Sequence, residues 1–554
     1  MKTTLLRIGA IAVALQILSA SAETQVLYVV PSGTAGNSPE SPYATWETAA
    51  NSIADALSAV TDEAVINVKP GVYNIDQQIT VNKPNVTIQS CDENGSLARE
   101  TTILDGGYPA RYPKASTNRL FQIQRENVKL RGLTLQNACV LGDGGGIYVN
   151  DTYTIQISGR STTINVSNFV IDTCIISNCN AKAGSNVCGG GVKYPKASNR
   201  NFVITNSVVR DCVAEKIGGG ICGTSDVSQW ATPSYGILIT NSEFIDNRLN
   251  NSKIGGASGG IHFGYGPSYV DKCLIKGGAA SKGDSPLLNG WGWGVFTNCV
   301  FESIPARITS STGKAAFYNC LFHSTALNMT STVEVMNSCV FSNITAMADS
   351  QTVFGGRIRN CLWTHNNHPF SSAGIVENCT IVSNNTVGVI MVTKMLPQFI
   401  NCVVYGNKYE QRFSGVNIGY RTQWINGSTS SSLTLKNCYI EDGDTATINN
   451  PQAANALTKL QNFDTTGATA AIIAKAKEKG PGFVDKANGD WRLTRKSPLR
   501  DAGLNADWMV RAIDLEGKPR LLQLNGKYSA TATVDLGCYE CDLPIVQNLR
   551  IIVR

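Results

Sequence analysis

Between Tyr269 and Ile440 the chain repeats one short unit: an apolar residue, two or three residues ending in Asn-Cys or a close variant, then a further apolar pair. The unit reads FTNC to Cys299, FYNC to Cys320, MNSC to Cys339, IRNC to Cys361, VENC to Cys379, FINC to Cys402 and LKNC to Cys438. The steps are 21, 19, 22, 18, 23 and 36 residues, and VDKC to Cys273 stands 26 before the first. Self-similarity near 20 residues is the mark of a solenoid, in which each unit stacks only on its neighbours.

Apolar alternation through Val295, Cys299 and Phe301 has the period of two of half-buried strands, and no run shows helical i, i+3, i+4 spacing. A unit this short has no room for a helical crossover between parallel strands. It does suit a coil of short strands, so the expected fold is all-β, a right-handed parallel β-helix. Equivalent residues of successive coils would then lie about 4.8 Å apart, which predicts an internal column of Cys and a hydrogen-bonded ladder of the Asn before them. Corner Asn is expected again at Asn178, Asn247, Asn343, Asn384 and Asn407, because Asn tolerates the left-handed region and bonds its own backbone.

Lys2 and Arg7 precede the apolar run Ile8 to Leu18, and Ala20-Ser21-Ala22 is a small-x-small cleavage site. Residues 1–22 are therefore expected to be a secretory signal peptide cut near Ala22, sending the protein outside the cell or to its surface. No apolar run is long enough for a membrane span. Loss of the two basic residues lowers the net charge from +6 to +4, a balance that names no partner and supplies no basic stripe for nucleic acid. Seventeen Cys in an exported chain would ordinarily mean disulfides. The register argues instead for mostly free, buried thiols, since stacked neighbours have parallel Cβ vectors that fit the disulfide dihedral poorly. No CxxC pair has a second ligand pair at zinc spacing, so no metal site is expected.

Residues 23–85 are assigned to an N-terminal cap and the first coils. Ala50, Ile53, Ala54, Leu57 and Val60 share one helical face within residues 45–61, and an amphipathic helix here would cover the exposed end of the first coil. The β-helix proper is assigned to residues 86–440. Residues 441–480 are read as a helical cover, residues 481–541 as a small mixed C-terminal segment and residues 542–554 as a tail.

Three stretches carry a family resemblance. YVVPSGTAGNSPESPYATWETAANSI followed by INVKPGVY resembles the N-terminal segment of secreted proteins in the pectate-lyase-like β-helix superfamily. The turns GGGIY (144–148), GGGVK (189–193), GGGIC (218–222) and GGIHF (259–263), alternating with apolar-x-x-Asn/Asp units, are similar to repeats of polymorphic outer-membrane and adhesin-type β-helices. GPGFVDKANGDWRLTRKSPLRDAG (480–503), IDLEGKPR (513–520) and VDLGCYE (534–540) resemble the end of bacterial surface proteins with a choice-of-anchor Q domain. The resemblance implies a monomeric extracellular or cell-surface protein acting on or binding glycans. No sorting signal follows Glu540 to show how it would be anchored.

The resemblance implies hydrolase or lyase chemistry, since that superfamily contains both. Glycoside hydrolysis in most families needs two carboxylates about 5–9.5 Å apart. No Asp-Asp pair occurs, and Asp172 and Asp271 share a register with Thr205 and Thr240 between them. A lyase needs a base beside a uronate, with calcium or another cation neutralising the acid. Lys193 and His262 follow aligned glycine turns, while Arg210 and Arg248 flank aligned corners, and these four are the positional candidates. His365 and His368 (HNNH) have no nearby carboxylate in sequence and read as a solvated loop.

RYPKASTNRLFQI (111–123) and KYPKASNRNFVI (193–204) are near-copies 82 residues apart. Tyr112, Lys114 and Arg119 of the first, and Tyr194, Lys196 and Arg200 of the second, are candidate glycan contacts, with rings for sugar faces and cations for carboxylate or sulfate. Trp230, Tyr265, Trp291 and Trp293 extend the set. Duplicated coils also carry duplicated loops without any function. Since no catalytic set assembles, the sequence favours a secreted or surface β-helix that binds polysaccharide or mediates adhesion, with a polysaccharide lyase, and less so a glycoside hydrolase, as the alternative.

Overall fold

The structure is a computed structural model. It describes residues 24–541 apart from 62, 113–118, 158, 183–186, 195–200, 224–236, 251–259, 264–267, 279–287, 290–292, 305–313, 326–332, 345–355, 368–369, 372–373, 386–389, 393–397, 408, 414–415, 422–424, 428–433, 441–462, 465–477, 479 and 524–526.

The chain winds as a right-handed parallel β-helix. A sixteen-stranded parallel sheet runs from Gln25–Val29 to Phe463–Asp464 and a fourteen-stranded one from Gly71–Asn74 to Tyr439–Ile440. A seven-stranded parallel sheet spans Ile79–Val81 to Leu288–Asn289, and a four-stranded one spans Cys139–Leu141 to Arg248–Leu249. The β-rich composition leaves little helix. Ile53–Ser58 is the capping helix, with Ser52 Oγ accepting from Asp55 N at 3.1 Å and Ile53, Ala56 and Leu57 buried on the first coil. It is shorter than the pattern over 45–61 suggested.

The Cys column forms as expected. Leu321 N donates to Cys299 O, Val340 N to Cys320 O, Leu362 N to Cys339 O, Thr380 N to Cys361 O and Val403 N to Cys379 O, each at 2.9 Å, so these residues are register neighbours. Every one of these thiols is buried and unbridged. Toward the N-terminus Ser242, Ser207 and Cys174 continue the same column. Beside it, inward Phe301, Phe322 and Phe341 stack at 4.7 Å between centroids, the same pitch as the coil.

The residue before each Cys turns the corner in the left-handed region: Asn298, Asn319, Ser338, Asn360, Asn378, Asn401 and Asn437 have φ of 51–55°. Their amides form the ladder, as in Asn319 Nδ2 to Asn298 Oδ1 at 3.3 Å and Asn437 Nδ2 to Asn401 Oδ1 at 3.0 Å. The second corner divides the Asn set that the pattern had treated as one. Asn178 and Asn343 occupy the left-handed position, whereas Asn247, Asn384 and Asn407 lie buried beyond it and bond inward to Val209 O, Trp363 O and Ile381 O. His365 holds that left-handed corner position in its coil (φ 53°), with Nδ1 against Thr364 Oγ1 at 2.9 Å, which accounts for it structurally. His368 lies outside the described residues.

The glycine triplets exist because coils touch there: a Cβ on Gly190 would stand 2.3 Å from Gly219 O, and one on Gly145 would stand 2.4 Å from Gly190 O.

The C-terminal segment lies against the side of the last coils. Leu493, Leu499, Ala502 and Leu536 pack on Val403 and Tyr439. The corner ladder grips the segment's backbone, through Asn360 to Ile513 O, Asn378 to Asp535 O, Asn401 to Leu504 O and Asn437 to Ala502 O. The segment is centred on buried Arg520, which pairs with Glu540 at 3.1 Å and bonds Asp535 O and Gly537 O. Of the helical cover expected over 441–480, the described residues include Phe463–Asp464, which is a strand pairing with Thr434–Lys436, and Glu478, which is helical.

Candidate functional site

Strand register on the seven-stranded sheet aligns Thr80, Gln122, Tyr148, Lys193, Cys222, His262 and Asn289 in one column. Their strand neighbours (Ile147 and Val149, Val192 and Tyr194) are buried in the core, so alternation points the column away from it. The Tyr148 ring receives the Arg119 guanidinium at 4.8 Å and the Lys193 ammonium at 4.4 Å. Arg119 also donates to Gly144 O, Asp143 O and Gln78 Oε1. Burial lowers its pKa from the ordinary value, while burial raises that of Asp143, which accepts from Cys188 N at 2.9 Å. An amide ladder runs alongside, from Gln78 to Gln122 at 2.5 Å and from Gln122 to Asn150 at 3.0 Å.

Lys193 is only 1% exposed and spends its protons internally, on Asp151 Oδ1 and Val149 O, both at 3.3 Å. His262 is equally enclosed, with neither ring nitrogen bonded, and burial pushes its pKa down to about 4. Lys193 and His262 lie two rungs apart in one column, and both are buried. Arg210 and Arg248 are exposed on two other faces, the fourteen- and four-stranded sheets, so the four candidates form no single constellation. Asp172 and Asp271 are three rungs apart, roughly 14 Å at about 4.8 Å per coil, too far for a hydrolase pair. Asp172 is already paired with Arg131 and Lys129.

The near-copies turn out to occupy different parts of the coil. Residues 111–120 lead into Phe121–Ile123 of the seven-stranded sheet, whereas 195–201 lead out of that sheet into Phe202–Thr205 of the sixteen-stranded one. Tyr112 is accordingly exposed and donates to Asp76 Oδ1 at 2.9 Å. Tyr194 is core: its ring stacks on Phe202 at 4.9 Å and its hydroxyl donates to His262 O at 3.2 Å. Tyr194 therefore offers no surface to a glycan, and the two Tyr are not equivalent in the fold. Arg119 is largely committed to fixing the backbone at 143–144.

Lys114, Lys196, Arg200, Trp230, Tyr265 and Trp291 lie outside the described residues, and Trp293 opens strand Trp293–Thr297 as register partner of Lys314. Lys196 and Arg200, then Trp230, then Tyr265, then Trp291 each belong to the stretch between a strand of the seven-stranded sheet and the next strand of the sixteen-stranded one, on four successive coils.

One element was missed from the sequence, an antiparallel hairpin of Thr152–Ile157 and Arg160–Asn165 standing in that same connection one coil earlier. Its alternation about Ser158-Gly159 was a readable hairpin signal. Among the described residues of this face, Asp151 Oδ1 accepts from Lys193 and Asp143 Oδ1 accepts from a backbone N–H. Among the described residues no group of three or more His, Cys, Asp or Glu is arranged to hold a metal, and no helix is long and apolar enough to cross a membrane.

No family model matches the chain, and no curated protein does. Among solved structures it is similar to the pectate lyase Pel9A (15% identity, TM-score 0.28, covering 94% of this chain and 98% of that one). An alginate lyase in complex with a trisaccharide is similar at 13% identity and TM-score 0.35, covering 76% and 81%. Pectin methylesterase from carrot is similar at 11% identity and TM-score 0.33, covering 57% and 89%. At such TM-scores these likenesses carry no argument about activity.

Proposed function

We propose that the protein is an exported β-helix that binds an acidic polysaccharide lengthwise, on the edge where the seven-stranded sheet passes into the sixteen-stranded one. The observation that carries this reading is the recurrence of aromatic and cationic residues (Lys196, Arg200, Trp230, Tyr265, Trp291) in the same connection of four successive coils. Coils rise by about 4.8 Å each, so a linear polymer along the axis would meet one such connection after another. Rings suit sugar faces and cations suit carboxylates. Binding is favoured over β-elimination because the two candidate bases on this face, Lys193 and His262, are buried.

The test is retention in affinity gels containing alginate, polygalacturonate or a neutral glucan. Wild type should be retarded by an acidic polymer, less so as salt rises, and the variant K196A/R200A/W230A/W291A should migrate freely. Unretarded wild type across the panel, or a variant retarded as strongly as wild type, overturns the reading. Release of unsaturated uronate absorbance from the same polymers would establish the lyase instead.

A further inference from the structure

The other described connections from the seven-stranded to the sixteen-stranded sheet near this coil are short turns, 82–85 and 124–128, but the one after Ile147–Val149 carries the fourteen-residue hairpin 152–165. A lone two-stranded hairpin is marginal in water, so its attachment matters. Val166 N donates to Asp151 O at 3.2 Å, closing the base. Arg125 lies 4.2 Å from the Tyr153 ring, which packs on the core. From the next coil, buried Lys193 holds Asp151 Oδ1 and Val149 O, so the ammonium ties the foot of the hairpin to the solenoid.

The register separates the hairpin's two faces. Tyr153, Ile155 and Ile164, all half-buried, share the inner one. The outer face pairs Thr152 with Asn165, Thr154 with Thr163 and Gln156 with Ser161, and all six side chains are exposed. Every one is a hydroxyl or an amide and none carries charge, so the face offers donors and acceptors together without ionic preference. Gln156 Nε2 donates to Ser161 Oγ at 2.8 Å, which leaves that pair ordered on the surface. A hydroxyl-rich ligand matches such a face.

We propose that hairpin 152–165 is a glycan-binding arm, in which the Thr152/Asn165, Thr154/Thr163 and Gln156/Ser161 face takes the hydroxyls of the sugar chain and Lys193 is its positioning residue. The inference rests on the polysaccharide reading above and assigns its first subsite. Lys193 thereby gains a role that its burial permits, where proton abstraction is one that burial denies.

The experiment measures the retardation of full-length protein in the same gels. T154A/Q156A/S161A/T163A should weaken binding by at least about tenfold, as should replacement of 153–164 by Gly-Gly, with the salt dependence of what remains unchanged because no charge on the outer face is lost. Lys193→Met should weaken binding and Lys193→Arg should restore it, whereas a role in core packing alone would leave affinity unmoved in every variant that melts like wild type. Wild type bound and both hairpin variants bound equally well overturns the arm while leaving the polysaccharide reading intact. Wild type bound by no polymer removes both. Equal affinity of the Met and Arg variants refutes the positioning role.

Discussion

Asn401 is where the solenoid and the C-terminal segment hold each other most directly, and its loss should be felt mainly by that segment. Its Nδ2 donates to Leu504 O at 2.8 Å and its Oδ1 accepts from Leu504 N at 2.8 Å, a two-point grip on the backbone of one residue, while Asn378 and Asn437 bond it within the ladder. Asn401→Ala removes both bonds to Leu504. Each is worth about 0.5–1.5 kcal/mol net, so the segment should lose about 1–3 kcal/mol. That corresponds to a rise of roughly 5- to 150-fold in its local opening. The alanine also gives up favourable occupancy of a left-handed position (φ 54°), which adds to the loss. Hydrogen exchange reads this residue by residue, which avoids assuming that a solenoid unfolds in one step. Amides of 499–504 and 534–538 should exchange faster by that factor, while those of Leu130 and Ile171, many coils away, should not change. Asn319→Ala is the control, since Asn319 holds an equivalent rung and its amide donates to Asn298 Oδ1, away from the described part of the segment. Unchanged exchange of 499–504 in Asn401→Ala, or an equal effect from Asn319→Ala, would refute the reasoning.

Native protein treated with a thiol reagent should label almost no Cys in the column, with full labelling after denaturation, and rapid native labelling of Cys320, Cys339 or Cys361 would contradict their burial. Gly190→Ala should destabilise by well over 1 kcal/mol because its Cβ would meet Gly219 O at 2.3 Å, backbone that cannot swing aside; thermal melting of the variant checks it. Two buried groups should give opposite pH responses. Burial raises Asp535 to about 7 from 3.8, so its contribution is complete below about pH 4 and is lost as pH rises toward and through 7. Burial lowers His262 to about 4 from 6.5, so its contribution is complete above about pH 6.5 and is lost as pH falls toward and through 4. Local exchange should therefore quicken near residue 535 on going from pH 5 to 8 and near residue 262 on going from pH 7 to 4. Asp535→Asn should abolish the first trend and leave the second.

The sequence alone determined the solenoid, because a β-helix writes its fold locally. Each coil needs its own inward Cys or Phe and its own left-handed corner, and no distant partner can supply them, so FTNC to LKNC recur at the coil length and the Cys column and Asn ladder follow. Glycine triplets at 144, 189 and 218 were legible for the same reason. Which way a residue faces at the end of a strand was not legible, because a one-residue difference in register exchanges core for surface. Tyr112 and Tyr194 sit in nearly identical words yet lie on opposite sides of the wall, since one word enters the seven-stranded sheet and the other leaves it. Burial was equally hidden: the position of Lys193 after a glycine turn suggested chemistry, and only the packing of Asp151 and Tyr148 around its ammonium showed a charge already spent. The grip of Asn360, Asn378, Asn401 and Asn437 on a segment 65 to 157 residues further along was decided by tertiary structure alone, because nothing in the repeat distinguishes a corner Asn that faces water from one that faces another part of the chain.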